Sequence, residues 1–113
     1  MSTETKASIA ERLFIHRRRT GFTQARAAAA LGIPVHAYAN IECGRFEASD
    51  YKVKAPKLGR IQPFEWAVLF RRRKAWTQVE LARKLKCCRF HVNQMELDKV
   101  PNQQLLEFWG LTK

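Results

Sequence analysis

The sequence predicts an all-α protein that consists of two tandem copies of one three-helix unit. When the 113-residue chain is shifted by 54 positions, residues 11–46 align with residues 65–100 without a gap, and nine of the 36 pairs are identical. Apolar residues recur at helical spacing in both copies, and strand patterns are weak throughout. We therefore expect a first unit at residues 1–46, a linker at 47–62, and a second unit with a C-terminal helix at 63–113.

The first helix of each copy is predicted from its apolar spacing. A helix over residues 9–19 is expected because Ile9, Leu13 and His16 fall on one helical face. Its counterpart over residues 63–74 opens with a proline, which suits the first turn of a helix.

Threonines are expected to cap the second helices, at residues 24–31 and 78–85. Thr77 forms a capping box with Glu80, whereas Thr23 has no acidic residue three positions later. The residues expected to be buried are Ala27, Ala28 and Leu31 in the first copy and Leu81, Ala82 and Leu85 in the second.

The turns into the third helices differ between the copies. Gly32 suits a left-handed helix terminus, and Lys86 must take the same position less comfortably because it has a side chain. The third helices are predicted at residues 34–42 and 88–97. The side chains expected to face inward are Tyr38, Ile41, Val92 and Met95.

The linker and the C-terminus are expected to supply further apolar contacts. A unit of about 45 residues has a marginal core, so we expect the two units to pack together as a pseudo-two-fold repeat. The linker residues expected to be partly buried between them are Tyr51, Val53, Leu58 and Ile61. The C-terminal helix at 102–109 would either complete the second core or form a homodimer interface. Its apolar residues are Leu105, Leu106, Phe108 and Trp109.

The chain is strongly basic, with 21 Lys and Arg against ten Asp and Glu and a net charge of +11. The excess is divided between the copies, since residues 1–46 hold seven basic and three acidic groups, and residues 63–100 hold nine and four. This charge indicates a polyanionic partner, with nucleic acid as the first candidate and an acidic membrane surface as the second.

Several function classes are not supported by the sequence. No apolar run approaches the ~18 residues of a membrane span, and the N-terminal residues lack the pattern of a secretory signal. Paired carboxylates, a nucleophile–base pair and a Gly-rich phosphate loop are missing, so we expect no enzyme and no cofactor. Cys43, Cys87 and Cys88 match neither a disulfide framework nor a zinc spacing. We therefore expect reduced thiols, no bound metal and a cytoplasmic location.

A family resemblance emerges from the residues that the copies share. The first copy contains Arg17, Phe22-Thr23-Gln24, Ala28, Leu31-Gly32-Ile33, Ile41-Glu42 and Gly44-Arg45. The second contains Arg71, Trp76-Thr77-Gln78, Leu81-Ala82, Leu85, Met95-Glu96 and Lys99. This pattern resembles the helix-turn-helix of phage repressor and Cro proteins, the Xre-type family, in two copies that cover about two-thirds of the chain. The second copy departs from the pattern at Lys86 and Asp98, where the first has glycine.

The resemblance implies a set of DNA-contacting residues, because in this family the third helix enters the major groove and the second helix contacts the DNA backbone. Phosphate contacts are implied for Gln24 and Gln78, and for Arg45 and Lys99 after the third helices. The implied base-contacting positions are Val35, His36, Ala39 and Asn40 in the first copy and Arg89, Phe90, Asn93 and Gln94 in the second.

Other shared residues have structural roles by the same resemblance. Arg17 with Glu42, and Arg71 with Glu96, would form salt bridges between helices rather than contact DNA. For the remaining arginines two roles stay open, contact with phosphates or a place on a solvated face. These residues are Arg18, Arg19, Arg72 and Arg73. Phe22 and Trp76 are expected in the two cores, and His16 and His91 in structural or backbone-facing positions.

The predicted function is that of a sequence-specific regulator of transcription that binds double-stranded DNA, of the type found in phages and mobile elements, acting at the bacterial nucleoid. One alternative is a protein-interaction module, such as an antitoxin-like or anti-activator protein. A further hypothesis is a division of labour, in which one copy binds DNA and the other docks RNA polymerase or a second regulator.

Overall fold

Seven α-helices and one short 3-10 helix form the regular structure of residues 7–111, the part of the chain that the computed structural model describes. These residues contain no strand, so the all-α prediction is confirmed. The chain divides into two compact units, residues 1–59 and residues 60–113. Within the described range no helix is long and apolar enough to cross a bilayer.

The first unit contains α1 (Ile9–Thr20), α2 (Gln24–Leu31), α3 (Val35–Glu42) and a 3-10 helix (Ala48–Tyr51). A capping box starts α1, in which the Ser8 hydroxyl accepts a hydrogen bond from the backbone of Glu11 and the Glu11 carboxylate accepts one from the backbone of Ser8. The predicted cap at Thr23 is present, since its hydroxyl accepts a hydrogen bond from the backbone N–H of Arg26 at 3.1 Å.

The core of the first unit is built from all three helices and from the segment that follows them. The buried residues in contact there are Leu13, Ala27, Ala28, Tyr38, Ile41, Ala48 and Val53, with Phe22, Ile33 and Tyr51 packed against them. Ala48 and Val53 come from the segment predicted as a linker, and residues 47–59 belong to this unit. The segment therefore contributes to the core that the short helices cannot close alone.

The second unit contains α4 (Pro63–Arg73), α5 (Gln78–Leu85), α6 (Arg89–Glu96) and α7 (Gln103–Phe108). The capping box between Thr77 and Glu80 is present, with a hydrogen bond of 2.7 Å from the backbone of Thr77 to the Glu80 carboxylate. This backbone hydrogen bond is the main reason why the pKa of Glu80 lies below its ordinary value.

The last helix completes the core of the second unit. Leu105 of α7 is fully buried, and Gln104 Nε2 donates a hydrogen bond of 2.7 Å to the carbonyl oxygen of Leu85. The buried residues of this core are Ala67, Leu81, Ala82, Leu85, Val92, Met95 and Leu105. The apolar side of α7 is therefore engaged within its own unit.

One expectation about buried side chains is wrong. Leu31 is 41% exposed, whereas its counterpart Leu85 is 6% exposed. The physical reason is that α7 covers Leu85, and no α-helix follows α3 in the first unit to cover Leu31. Ile9, the first residue of α1, is 39% exposed.

Three backbone positions with positive φ recur at the 54-residue interval, with glycine in the first unit and another residue in the second. The pairs are Gly21 with Ala75, Gly32 with Lys86, and Gly44 with Asp98. Lys86 ends α5 in the left-handed conformation with a φ of 58°, as expected from its alignment with Gly32. Left-handed backbone is unfavourable for residues with a Cβ, so the second unit has more local strain.

Replacing Lys86 with glycine should raise the free energy of unfolding by about 1 kcal/mol, because glycine accepts this conformation without steric cost. The matched control is Gly32→Lys, which should lower the free energy by a similar amount. A Cβ at Gly32 would meet no atom within 4 Å, so backbone strain alone acts there. Urea denaturation followed by circular dichroism measures both changes. A loss of stability in Lys86→Gly would contradict this interpretation.

Candidate nucleic-acid interface

One buried carboxylate connects the three helices of the first unit. Glu42, at the end of α3, is 5% exposed, and its Oε2 accepts a hydrogen bond from Arg17 Nε at 2.8 Å. Its Oε1 accepts hydrogen bonds from Arg17 Nη2 and from Gln24 Nε2, each at 3.0 Å. Arg17 Nη1 also donates to the carbonyl oxygen of Phe22 at 3.4 Å. The expected pair of Arg17 and Glu42 is thus bidentate and includes a third residue.

The second unit contains the same network at positions 54 residues later. Glu96 is 1% exposed and accepts hydrogen bonds from Arg71 Nε at 2.7 Å and from Arg71 Nη2 at 3.1 Å. Gln78 Nε2 donates to Glu96 Oε1 at 2.9 Å, and Arg71 Nη1 donates to the carbonyl oxygen of Trp76 at 2.9 Å. The chain therefore anchors α3 and α6 with the same chemistry.

The surroundings of Glu42 keep it ionised. Burial desolvates the carboxylate and by itself raises its pKa, but the hydrogen bonds from Arg17 and Gln24 and the charge of Arg17 outweigh this effect. The net result is a pKa of Glu42 below the ordinary value. The hydrogen bond to Glu42 raises the pKa of Arg17, and burial is the main cause that raises the pKa of Tyr38.

The glutamines at the start of α2 and α5 have a structural contact that the sequence did not predict. Gln24 and Gln78 are half-buried, and each donates its amide hydrogen to the carboxylate of the salt bridge. The signal in the sequence was the recurrence of both Gln and Glu at the 54-residue interval. The hydrogen bond to the carboxylate already holds the side chain of each glutamine in place. A phosphate contact by either glutamine would therefore come from a fixed side chain in the first turn of its helix.

The predicted base-contacting positions of α3 are accessible to different degrees. Val35 is 49% exposed and His36 is exposed, both in the first turn of the helix. Ala39 and Asn40 are half-buried, and Asn40 Nδ2 donates to the carbonyl oxygen of His36 at 2.8 Å. The exposed face of α3 is thus small and mostly apolar, with one imidazole.

The corresponding positions of α6 present a cation and a large aromatic ring. Arg89 is exposed, and Phe90 is 69% exposed, the most exposed of the large hydrophobic side chains in the described residues. Asn93 and Gln94 are half-buried, and Asn93 Oδ1 accepts a hydrogen bond from Gln78 Nε2 at 3.2 Å. The exposed faces of α3 and α6 therefore differ in chemistry although their anchors are the same.

Basic residues follow both third helices. Arg45 and Lys99 are exposed, and their backbone N–H groups donate to the carbonyl oxygens of Asn40 at 2.8 Å and Gln94 at 3.0 Å. These hydrogen bonds hold the two residues at equivalent positions just beyond α3 and α6. Each can therefore present a positive charge beside the helix that precedes it.

The other arginines of α1 and α4 have contacts within the chain. Arg19 Nη1 donates to the carbonyl oxygen of Leu58, and the guanidinium of Arg18 lies 5.9 Å from the ring centroid of Phe14. The guanidinium of Arg73 lies 5.6 Å from the ring centroids of Trp66 and Phe70. Each of these contacts is made by the guanidinium group, so these arginines take part in packing within the chain.

All three cysteines are free thiols; Cys43 and Cys88 are exposed, and burial raises the pKa of the half-buried Cys87. Within residues 7–111 no group of three His, Cys, Asp or Glu side chains is arranged to hold a metal ion. Phe22 and Trp76 pack against the two cores as expected.

Comparisons of the chain with protein-family models, curated proteins and solved structures found no match.

The ion pair of the first unit makes stability depend on pH. Because the pKa of Glu42 is lower in the folded state, its contribution is present above the unfolded pKa of about 4.3 and is lost as pH falls through the folded value. Glu42→Gln should cost about 2–3 kcal/mol at pH 7, since it leaves Arg17 without its carboxylate, and should flatten the acid limb of the stability profile. Urea denaturation between pH 7 and pH 2 measures both effects.

The matched control for this change is Glu47→Gln, which makes the same substitution at an exposed residue. It should leave the stability at pH 7 within about 0.5 kcal/mol of the original chain. Equal effects of the two substitutions would show that the ion pair contributes nothing specific.

Proposed function

We propose that this chain is a sequence-specific regulator of transcription that binds double-stranded DNA through two tandem helix-turn-helix units of the Xre type. The observation that carries the proposal is the repeated network of Arg, Gln and Glu, which anchors a third helix in each unit and leaves its first turn exposed. The expected setting is the cytoplasm of a bacterial cell.

Electrostatics supports a polyanionic partner. The net charge is +11, and exposed cations lie beside both third helices at Arg45 and Lys99. Such residues bind phosphates and set the position of a protein on the duplex without discriminating between sequences. The first turns of α2 and α5, with Gln24 and Gln78, add helix N-termini, which favour a phosphate through the helix dipole.

Discrimination between sequences would come from the exposed faces of α3 and α6. Arg89 suits the O6 and N7 atoms of guanine, and Asn40 or Gln94 suits the N6 and N7 atoms of adenine. Val35 and Phe90 suit the methyl group of thymine. Because the two faces differ, the two units in one chain would bind an asymmetric site, with the tether raising the effective concentration of the second contact.

A variant at Arg89 tests the base contacts. Arg89→Ala should relax the preference at one base pair, with a loss of about 1–3 kcal/mol on the cognate sequence. Selection of bound DNA from a random pool, followed by fluorescence anisotropy, measures the preferred sequence and the affinity. The control is Arg83→Ala, which removes an exposed arginine from α5 and should leave the preferred sequence unchanged. An unaltered preference in Arg89→Ala would refute the role of α6.

Variants at Arg45 and Lys99 test the phosphate contacts. Arg45→Ala or Lys99→Ala should weaken binding to cognate and random DNA by the same factor, because a phosphate contact is independent of sequence. Each should also reduce the slope of log affinity against log salt concentration by about 1. Anisotropy titrations between 50 and 300 mM KCl give both quantities. A variant that changed the preferred sequence would assign that residue to a base contact instead.

A second candidate function is docking of a protein, either by an antitoxin-like or anti-activator module or by one unit that binds RNA polymerase or a second regulator. The observation that favours it is the 69% exposure of Phe90, a large apolar side chain on a surface helix. The segment 102–109, expected as a possible homodimer interface, exposes its apolar side chains less than α6 exposes Phe90, since Leu105 is fully buried and Phe108 is 39% exposed. Selection that recovers no DNA motif would favour the protein-docking function.

A further inference from the structure

The first unit has an apolar groove beside α2 that the predicted DNA contacts do not use. We call it the α2 groove; its volume is about 330 Å³. Its lining residues are Leu13, His16, Phe22, Ala27, Ala30, Leu31, Tyr38, Lys54, Pro56 and Lys57. Leu31 contributes the largest exposed apolar side chain, and Lys54 and Lys57 are exposed at its edge.

The second unit shows what kind of element suits this position. The residues 54 positions after Leu13, Phe22 and Leu31 are Ala67, Trp76 and Leu85, and all three belong to the core cluster that α7 completes. Leu105 and Trp109, from the last turns of the chain, pack in that cluster. Leu31 and Leu85 thus hold equivalent positions in the repeat, and only Leu85 is covered by a helix.

The groove is too small for a domain and large enough for a few apolar side chains, since its volume lies at the lower end of the range of about 300–1,000 Å³ for ligand pockets. An amphipathic helix that inserts side chains at i, i+3 and i+4 fits such a groove. The second unit uses this mode of packing internally, through a helix of six residues.

The charge at the groove determines which helix would fit it. The ionisable lining residues besides Tyr38 are His16, Lys54 and Lys57, and the lining includes no Asp or Glu. A ligand with carboxylates beside its apolar side chains would gain complementary charge there, whereas a basic ligand would be repelled.

We propose that the α2 groove binds a short acidic amphipathic helix of a partner protein, which covers Leu31 as α7 covers Leu85 in the second unit. The apolar residues of this helix contact Leu31, Phe22 and Leu13, and its carboxylates pair with Lys54 and Lys57. The groove lining does not include the exposed residues Val35 and His36 of α3, so the proposal does not depend on DNA binding.

The test uses the full chain and a fluorescein-labelled synthetic peptide with the sequence of residues 102–111, in which Asn102→Asp and Gln103→Glu add two carboxylates. Gln104 is retained because in the second unit it donates a hydrogen bond to the carbonyl oxygen of Leu85, the counterpart of Leu31. Fluorescence anisotropy at 150 mM KCl should give saturable binding. A second peptide, with serine in place of all three leucines, the phenylalanine and the tryptophan, keeps the charge and should bind at least tenfold more weakly.

Two pairs of variants locate the binding surface. Leu31→Ser should weaken peptide binding at least tenfold, whereas Val79→Ser, at a 42% exposed residue of α5, should leave it unchanged. The double variant Lys54→Glu/Lys57→Glu should weaken binding several-fold more than Arg83→Glu/Lys99→Glu, which alters the net charge equally. Circular dichroism checks that each variant is folded, and these exposed positions are expected to tolerate the changes.

Each other outcome overturns the proposal in a distinct way. Equal losses in the two charge variants, with no effect of Leu31→Ser, would show non-specific attraction to a basic protein. A second outcome is that the chain self-associates, that Leu31→Ser abolishes this association, and that the peptide does not compete with it. The occupant of the groove would then be a second copy of the chain. Loss of DNA affinity in Leu31→Ser, measured on a selected sequence, would assign the groove to the DNA interface. Failure to find any DNA motif would leave the peptide result unaffected, so the two proposals fail separately.

Discussion

The buried carboxylate at the end of each third helix is the constraint on which the rest of each unit depends. Glu42 and Glu96 are 5% and 1% exposed, and a carboxylate in that position is tolerated only when charged and hydrogen-bonded donors surround it. The donors come from the first helix through arginine and from the second through glutamine. Satisfying one charge thus fixes how three short helices meet, which helices of eight residues could not do by propensity alone.

Features that depend on neighbouring residues were predictable from the sequence. The second helices begin and end where the capping threonines and the left-handed positions place them, at Gln24–Leu31 and Gln78–Leu85. The exposure of Leu31 was not predictable, because it depends on whether a distant segment covers it. For the candidate interface, the family resemblance implied the pair of Arg17 and Glu42, but the hydrogen bond from Gln24 to Glu42 joins side chains 18 residues apart and follows from no local pattern.

The two units share one arrangement of three helices but are stabilised by different residues. The first has glycine at each recurrent position of positive φ, which avoids strain, and it uses Ala48 and Val53 from an irregular segment to close its core. The second accepts Lys86 and the other non-glycine residues at these positions, and it gains the burial of Leu105 from an additional helix. Burial of Leu105 therefore offsets part of the strain of the three left-handed residues.

This difference between the cores bears on how the chain would work. Because the anchoring networks are the same, both third helices can keep one docking geometry with different exposed residues. These residues are Val35 and His36 in α3 and Arg89 and Phe90 in α6. In the proposed function, the charge shared between the units would hold any duplex and would not decide which sequence is bound. Selectivity and partner choice would then rest on the surfaces where the copies differ, namely the first turns of α3 and α6 and the α2 groove beside the exposed Leu31.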